Sequence, residues 1–159
     1  MDGSDDRAAA TAEQIGRILR EREATVGIAE SLTGGLLVQA LARTEGSGEW
    51  LQGAVVAYAS SVKHELLQVR AEAVVSEQAA GEMASAARVC LGADVAVAVT
   101  GVAGPAPQDD EPPGTVWIAI DDGTAVTAEL FRTSGSPEDV CRDTVVAALR
   151  RLAARLTTC

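Results

Sequence analysis

Aromatic side chains are nearly missing from these 159 residues: one Tyr, one Phe and two Trp, 3% in all. A core built without them must be close-packed from small side chains, here mostly Ala and Val. Basic residues are few, 13 Lys and Arg against 23 Asp and Glu, so the formal net charge is −10. That argues against a nucleic-acid or anionic-membrane surface, which needs basic patches. It leaves room for a small anionic substrate, because a few local donors can reverse the field in a pocket. There is one histidine, His64, and the three cysteines (Cys90, Cys141 and Cys159) stand far apart with no CxxC pair, which speaks against a zinc site. A catalytic thiol would have only His64 as partner, so Cys90 and Cys141 read as small core-side hydrophobes. No apolar run approaches the roughly 20 residues of a membrane span. The opening MDGSDDR is acidic, the opposite of a secretory signal, so a cytoplasmic location is expected.

What is present suits one domain: 159 residues, 47% of them hydrophobic. Residues 1–9 read as a disordered tail and 10–159 as a single domain. Helices are predicted over 10–23, 34–43 and 60–68, with another starting after Ser76. Strands are predicted over 25–29, 51–58 and 94–100. DVAVAVT (94–100) is apolar enough to be buried on both faces. Strands over 115–120 and 125–131, joined at DDGT, form a hairpin. Ser136-Pro137-Glu138-Asp139 opens the last helix with a cap, a proline and two acids facing the dipole. PAPQDDEPPG (105–114) is a surface loop. This alternation predicts a three-layer α/β/α sandwich with a mixed sheet of about five strands.

Chemistry concentrates at strand ends. AESLTGG (29–35) puts Ser31 and two glycines where a strand gives way to a helix. Open α/β sheets bind ligands at such places. Thr33, Gly34 and Gly35 would let a ligand reach the backbone amides, although Ser31 or Thr33 as a plain helix cap is the simpler reading. GVAGP (101–105) repeats the pattern after Thr100, with Gly101 and Gly104 shaping a second turn. In AYASSVKHE (57–65), Lys63 serves as a general base only if burial or a positive neighbour lowers its pKa, and Tyr58 offers a hydroxyl to relay a proton. A solvated lysine and an edge-of-core tyrosine are the bland alternatives. Ser60 and Lys63 match an S-x-x-K pattern, but the companion SDN and KTG elements are absent. Arg142 lies along the apolar stripe of the last helix, either as an ion pair or as a donor to a ligand phosphate or carboxylate. Asp109, Asp110 and Glu111 read as a solvated cluster.

Five motifs occur in order: AESLTGGLL, GAVVAYASSVKHELLQV, VVSEQAA, LGADVAVAVTGVAGP and PPGTVWIAI. Together they resemble the C-terminal domain of the competence/damage-inducible protein CinA, the nicotinamide-nucleotide amidase family, over roughly residues 10 to 156. Larger members carry an additional N-terminal domain, so a stand-alone amidase is expected. The resemblance implies hydrolysis of nicotinamide mononucleotide to nicotinate mononucleotide and ammonia, with Ser31 as nucleophile. It also implies that Tyr58 and Lys63 are the family's tyrosine and lysine, and Arg142 the arginine opening the last helix. No cofactor and no metal is implied. The partner expected is a small nucleotide, with no nucleic acid and no membrane, and the chain is expected to form a homo-oligomer. Glu30 is assigned, from charge alone, to face the cationic pyridinium ring. The sequence departs from the family at Leu32, where Cys is usual, at Ser60, where Asn is common, and after Pro105, where a glycine-rich run is replaced by Ala-Pro-Gln-Asp-Asp. The competing readings are a non-catalytic nucleotide-binding module and, from the family's name, a partner in DNA uptake or repair.

Overall fold

β3 (Val95–Gly101) is buried at every residue, as its unbroken apolar run demands. It is the central strand of a five-stranded sheet ordered β2–β1–β3–β4–β5 in a computed structural model that describes residues 3–158. β1 (Val26–Glu30) pairs in parallel with β2 (Leu51–Val56) on one side and with β3 on the other. β4 (Thr115–Asp121) and β5 (Val126–Arg132) continue antiparallel. The Asp122 carboxylate closes their hairpin by accepting from the Thr124 and Ala125 amides at 2.9 and 2.8 Å.

Helices cover both faces. Over one lie α1 (Gly3–Glu21), α2 (Leu36–Ala42) and α5 (Pro137–Thr157), packed on the larger side chains Val26, Ile28, Val97, Val99, Ile118 and Ile120. Over the other lies α4 (Glu77–Cys90), whose Ala79, Ala80, Met83, Ala84 and Ala87 meet Ala29, Ala96, Ala98 and Ala119. The short α3 (Ser60–Glu65) follows β2. The fold is therefore the α/β sandwich with a mixed five-stranded sheet that the sequence predicts.

Details differ at the ends. α1 begins at Gly3, within the stretch expected to be a tail. Asp5 and Asp6 in its first turn complement the helix dipole, and the alanines that follow are good helix formers. Residues 1–2 of that predicted tail and Cys159 lie outside the described residues. α2 starts after Gly34 and Gly35, whose φ values of 56° and 108° belong to no helix. α3 stops at Glu65 rather than at residue 68, where Gln68 takes φ 53°. Cys90 is exposed rather than core-facing, while Cys141 is half-buried. α5 carries the predicted capping box: the Ser136 hydroxyl accepts from the Asp139 amide, and the Asp139 carboxylate accepts from the Ser136 amide.

Candidate active site

The register of the sheet collects the motifs at one edge. Glu30, the last residue of β1, stands opposite Val56, the last of β2, and the Ala57 amide donates to the Glu30 carbonyl at 2.8 Å. The β1–α2 turn holding Ser31 therefore runs beside the connection holding Tyr58 and leading to Lys63. On the other side of β1, Ala29 faces Ala98, so Thr100 and Gly101 reach the same edge. β4 runs the other way, with Gly101 opposite Val116, so the 105–114 loop lies at this edge too. The first turn of α5 closes in from above: the Cys141 thiol donates to the Leu32 carbonyl at 3.2 Å. Burial pushes that thiol's pKa up, away from a nucleophilic thiolate.

Ser31 is buried, and its carbonyl accepts from the Gly34 amide. Glu30 is wholly buried. Its carboxylate accepts from the Thr33 hydroxyl at 2.6 Å and from the amides of Gly35, Leu37 and Val38 at 3.1, 2.9 and 2.9 Å. The acid thus caps α2 from one residue before the turn, where the sequence suggested Ser31 or Thr33. A carboxylate committed to four donors inside the protein is not presented to a pyridinium ring, which corrects the expectation for Glu30. Thr33 is engaged with Glu30 in the same way. The Gly34 and Gly35 amides, expected to be open to a ligand, already have acceptors. What the glycines contribute is backbone: Gly34 is exposed, and both hold positive φ.

Lys63 is buried to 2% exposure, and its amine donates to the Tyr58 carbonyl at 3.2 Å. Desolvation lowers its pKa from the ordinary 10.5, with the Asp109 carboxylate pulling the other way. This is the environment a lysine base requires. Tyr58 contributes that carbonyl, while its side chain is 70% exposed rather than packed at the edge of the core. Ser60 opens α3 and is exposed, whereas Lys63 of the same helix is buried. His64 is exposed as expected, with its Nδ1 2.8 Å from the Val69 carbonyl.

Thr100 is buried, and its hydroxyl donates to the Val74 carbonyl at 2.6 Å, tying the segment before α4 to the end of β3. Gly101 is required by packing: a Cβ there would lie 2.6 Å from the Thr115 carbonyl oxygen. Gly104 has φ 94° and packs against Pro113. Arg142 pairs with Glu138 at 3.2 Å and Asp139 at 3.4 Å; both carboxylates are exposed residues of its own helix rather than the buried partner expected for a charge on the apolar stripe. It also lines a cavity of about 470 Å³ between α1, α2 and α5 that Arg43, Gln39 and Leu36 share. Neither Ser31 nor Lys63 lines that cavity. The residue the sequence did not single out is Asp109. Its carboxylate accepts from the Val75 amide at 3.0 Å, across 34 positions of chain. Among the described residues no group of three or more His, Cys, Asp or Glu is placed to hold a metal ion.

This arrangement coincides with a known family. The model of the CinA C-terminal domain matches residues 8–156. The chain belongs to that family. The family's fold is also seen in a competence-damaged protein (CinA) superfamily protein from Klebsiella pneumoniae. Its crystal structure superposes with a TM-score of 0.91 at 32% identity, covering 96% of this chain and 99% of that one. A putative competence-damage inducible protein of Desulforamulus reducens is 38% identical over 141 residues, 86% of this chain but 34% of that protein. The chain spans about a third of the length of this relative and of a Geobacter sulfurreducens CinA-like protein. A nicotinamide-nucleotide amidohydrolase, PncC, of Pseudomonas putida matches more evenly: 39% identity over 144 residues, 87% of this chain and 90% of the relative. No helix among the described residues is long and apolar enough to cross a membrane.

Proposed function

We propose that this chain is an amidohydrolase that converts nicotinamide mononucleotide to nicotinate mononucleotide and ammonia. The observation that carries the reading is the buried, desolvated Lys63 on the same sheet edge as Ser31. The even match to the Pseudomonas putida amidohydrolase supports the substrate.

Ser31 Oγ attacks the carboxamide carbon while its proton passes to the neutral amine of Lys63. A C–O bond forms and the carbonyl π pair moves onto oxygen. The oxyanion is met by the amides this edge still offers, at Thr33 or in the 101–104 turn, since the Gly34 and Gly35 amides already have acceptors. Collapse breaks the C–N bond, Lys63 returns the proton to the departing nitrogen, and ammonia leaves. Water then hydrolyses the ester and regenerates Ser31. The exposed Tyr58 hydroxyl and the half-buried Arg142 are the groups to which ribose or phosphate contacts fall; Arg142 would exchange its pairing with Glu138 and Asp139 for the phosphate.

The test is ammonia release from nicotinamide mononucleotide by the wild type and by Ser31→Ala. Release that disappears in a variant with unchanged thermal unfolding supports both the reaction and its nucleophile. Equal release by the two removes Ser31 from the mechanism. Nucleotide binding without release by the wild type favours the non-catalytic module.

A further inference from the structure

The two edges of the sheet are finished differently. At the β2 edge the register slips: Val26 faces Leu51 and Gly27 faces Gly53, so Gln52 bulges out of the ladder, and Gly53 takes φ 146°. Such a bulge blunts an edge against further pairing. β5, at the other edge, has no such guard. It pairs with β4 in unbroken register from Val126 to Arg132, with no proline and no lysine. Five of its seven residues are exposed, Val126 and Leu130 among them at 48% and 39%. Among the described residues no segment besides β4 bonds to the β5 backbone. The charge of Glu129, which could otherwise protect the edge, is turned to Arg151 of α5 at 2.7 Å. Ala128 packs into the layer under α4, and by the alternation of a strand Val126 and Leu130 share its face.

We propose that β5 pairs with β5 of a second copy of this chain, antiparallel about a two-fold axis at Ala128, so that two five-stranded sheets become one of ten strands. The side chains select both the partner and the register. With the pair centred on Ala128, Val126 of each copy lies opposite Leu130 of the other, and Thr127 lies opposite Glu129. The two exposed apolar side chains of one strand are then covered by those of its twin, as a self-complementary contact requires. Other centres do worse. Centring on Glu129 sets that carboxylate against its own copy and Val126 against Arg132, and like charges directly opposite are destabilising. Centring on Leu130 carries Val126 beyond the paired stretch, and centring on Thr127 does the same to Leu130. The favoured contact also continues the small-residue layer: Ala128 meets Ala128 of the partner copy as it meets Ala119 within its own chain. A two-fold axis normal to the sheet reverses strand direction, so the two Ser31 edges point opposite ways. The assembly is independent of the amidase chemistry.

Sedimentation velocity of the full chain across a concentration series tests the pairing. The wild type is expected to reach twice its 16.3 kDa. Val126→Lys combined with Leu130→Lys sets lysine against lysine and should weaken the dimer about a hundredfold. Val126→Glu combined with Leu130→Glu should do the same. An equimolar mixture of the two double variants should dimerise again, because in the register centred on Ala128 every lysine then meets a glutamate. Both positions are exposed, so the variants should keep the wild-type thermal unfolding. A second readout needs no substitution: amide hydrogen exchange over Val126–Leu130 should slow as the wild-type concentration rises, while that of β2 stays constant. A wild type that remains monomeric at hundreds of micromolar overturns the proposal. So does a dimer that survives both double variants, a mixture of the two that fails to associate, or concentration-dependent protection that falls on β2 instead of β5.

Discussion

A buried lysine amine costs free energy whenever it is charged, so Lys63 sets catalysis against stability within one residue. Its folded-state pKa lies below the ordinary 10.5 because desolvation outweighs the pull of Asp109. The unfolded chain therefore binds that proton more tightly than the folded one. By linkage the penalty is complete below the folded pKa and is relieved as pH rises toward 10.5. Lys63→Met should abolish ammonia release yet stabilise the protein at pH 7 by ~1 kcal/mol, and the gain should shrink by pH 10. Urea unfolding of both proteins at the two pH values checks this; a variant less stable at pH 7 would mean that the amine's bond to the Tyr58 carbonyl outweighs its desolvation. Residue types at this site were readable in the sequence because a serine before two glycines and a lysine after a strand are local patterns. Asp109 was not, because its partner Val75 lies 34 positions away and its turn looks like any acidic loop.

At the scale of the element, α2 is the part on which the site depends. It has seven residues, too short to persist alone in water, and its N-cap Gly35 offers no side chain. Glu30 supplies what the cap lacks, taking the Thr33 hydroxyl and three amides from the last position of β1. The strand, the serine turn and the helix are thereby one rigid piece. Glu30→Gln places an amide NH₂ against at least one of those N–H donors, so it should cost about 1–3 kcal/mol. The change should appear in the unfolding midpoint, with activity lost in proportion to unfolding. A raised KM at full stability would restore a role in binding the pyridinium ring. Helix starts with Ser caps, as at Ser76 and Ser136, were legible because the cap is a neighbour of the helix it serves. A carboxylate serving a helix from beyond two glycines leaves no such local mark, and the early start of α1 was hidden by an acidic stretch that reads equally as tail or as helix N-terminus.

For the whole molecule, the small side chains turn out to be distributed unevenly. Across the sheet, Ala29, Ala98 and Ala119 face one another in adjacent strands, and Ala128 continues the row on β5. Over them α4 presents Ala79, Ala80, Ala84 and Ala87. Methyl against methyl lets this helix lie close to the sheet and leaves little room. The opposite face is packed from Val, Ile and Leu under α1, α2 and α5. The sequence announces a small-residue core and a buried β3. It does not say that the two faces of β3 differ, because in a run such as VAVAV both alternating sets are apolar and only the packing partner tells them apart. Substitutions at adjacent positions of β3 should then fail for opposite reasons. Val97→Ala opens a cavity on the large-residue face and should cost about 2 kcal/mol. Ala98→Val, favourable by strand propensity, must push α4 away and should cost about 1–3 kcal/mol. Because α4 leads back through Ser76 to Val74 and Val75, which bond to the Thr100 hydroxyl and the Asp109 carboxylate, the displacement in Ala98→Val should also reach the Lys63 edge and lower ammonia release at temperatures where the protein remains folded. Val97→Ala should leave release unchanged under the same conditions. Urea midpoints with parallel rate measurements decide the matter: an Ala98→Val protein as stable and as active as wild type would mean that the α4 layer has slack, and that the alanine row does not fix the distance between helix and sheet.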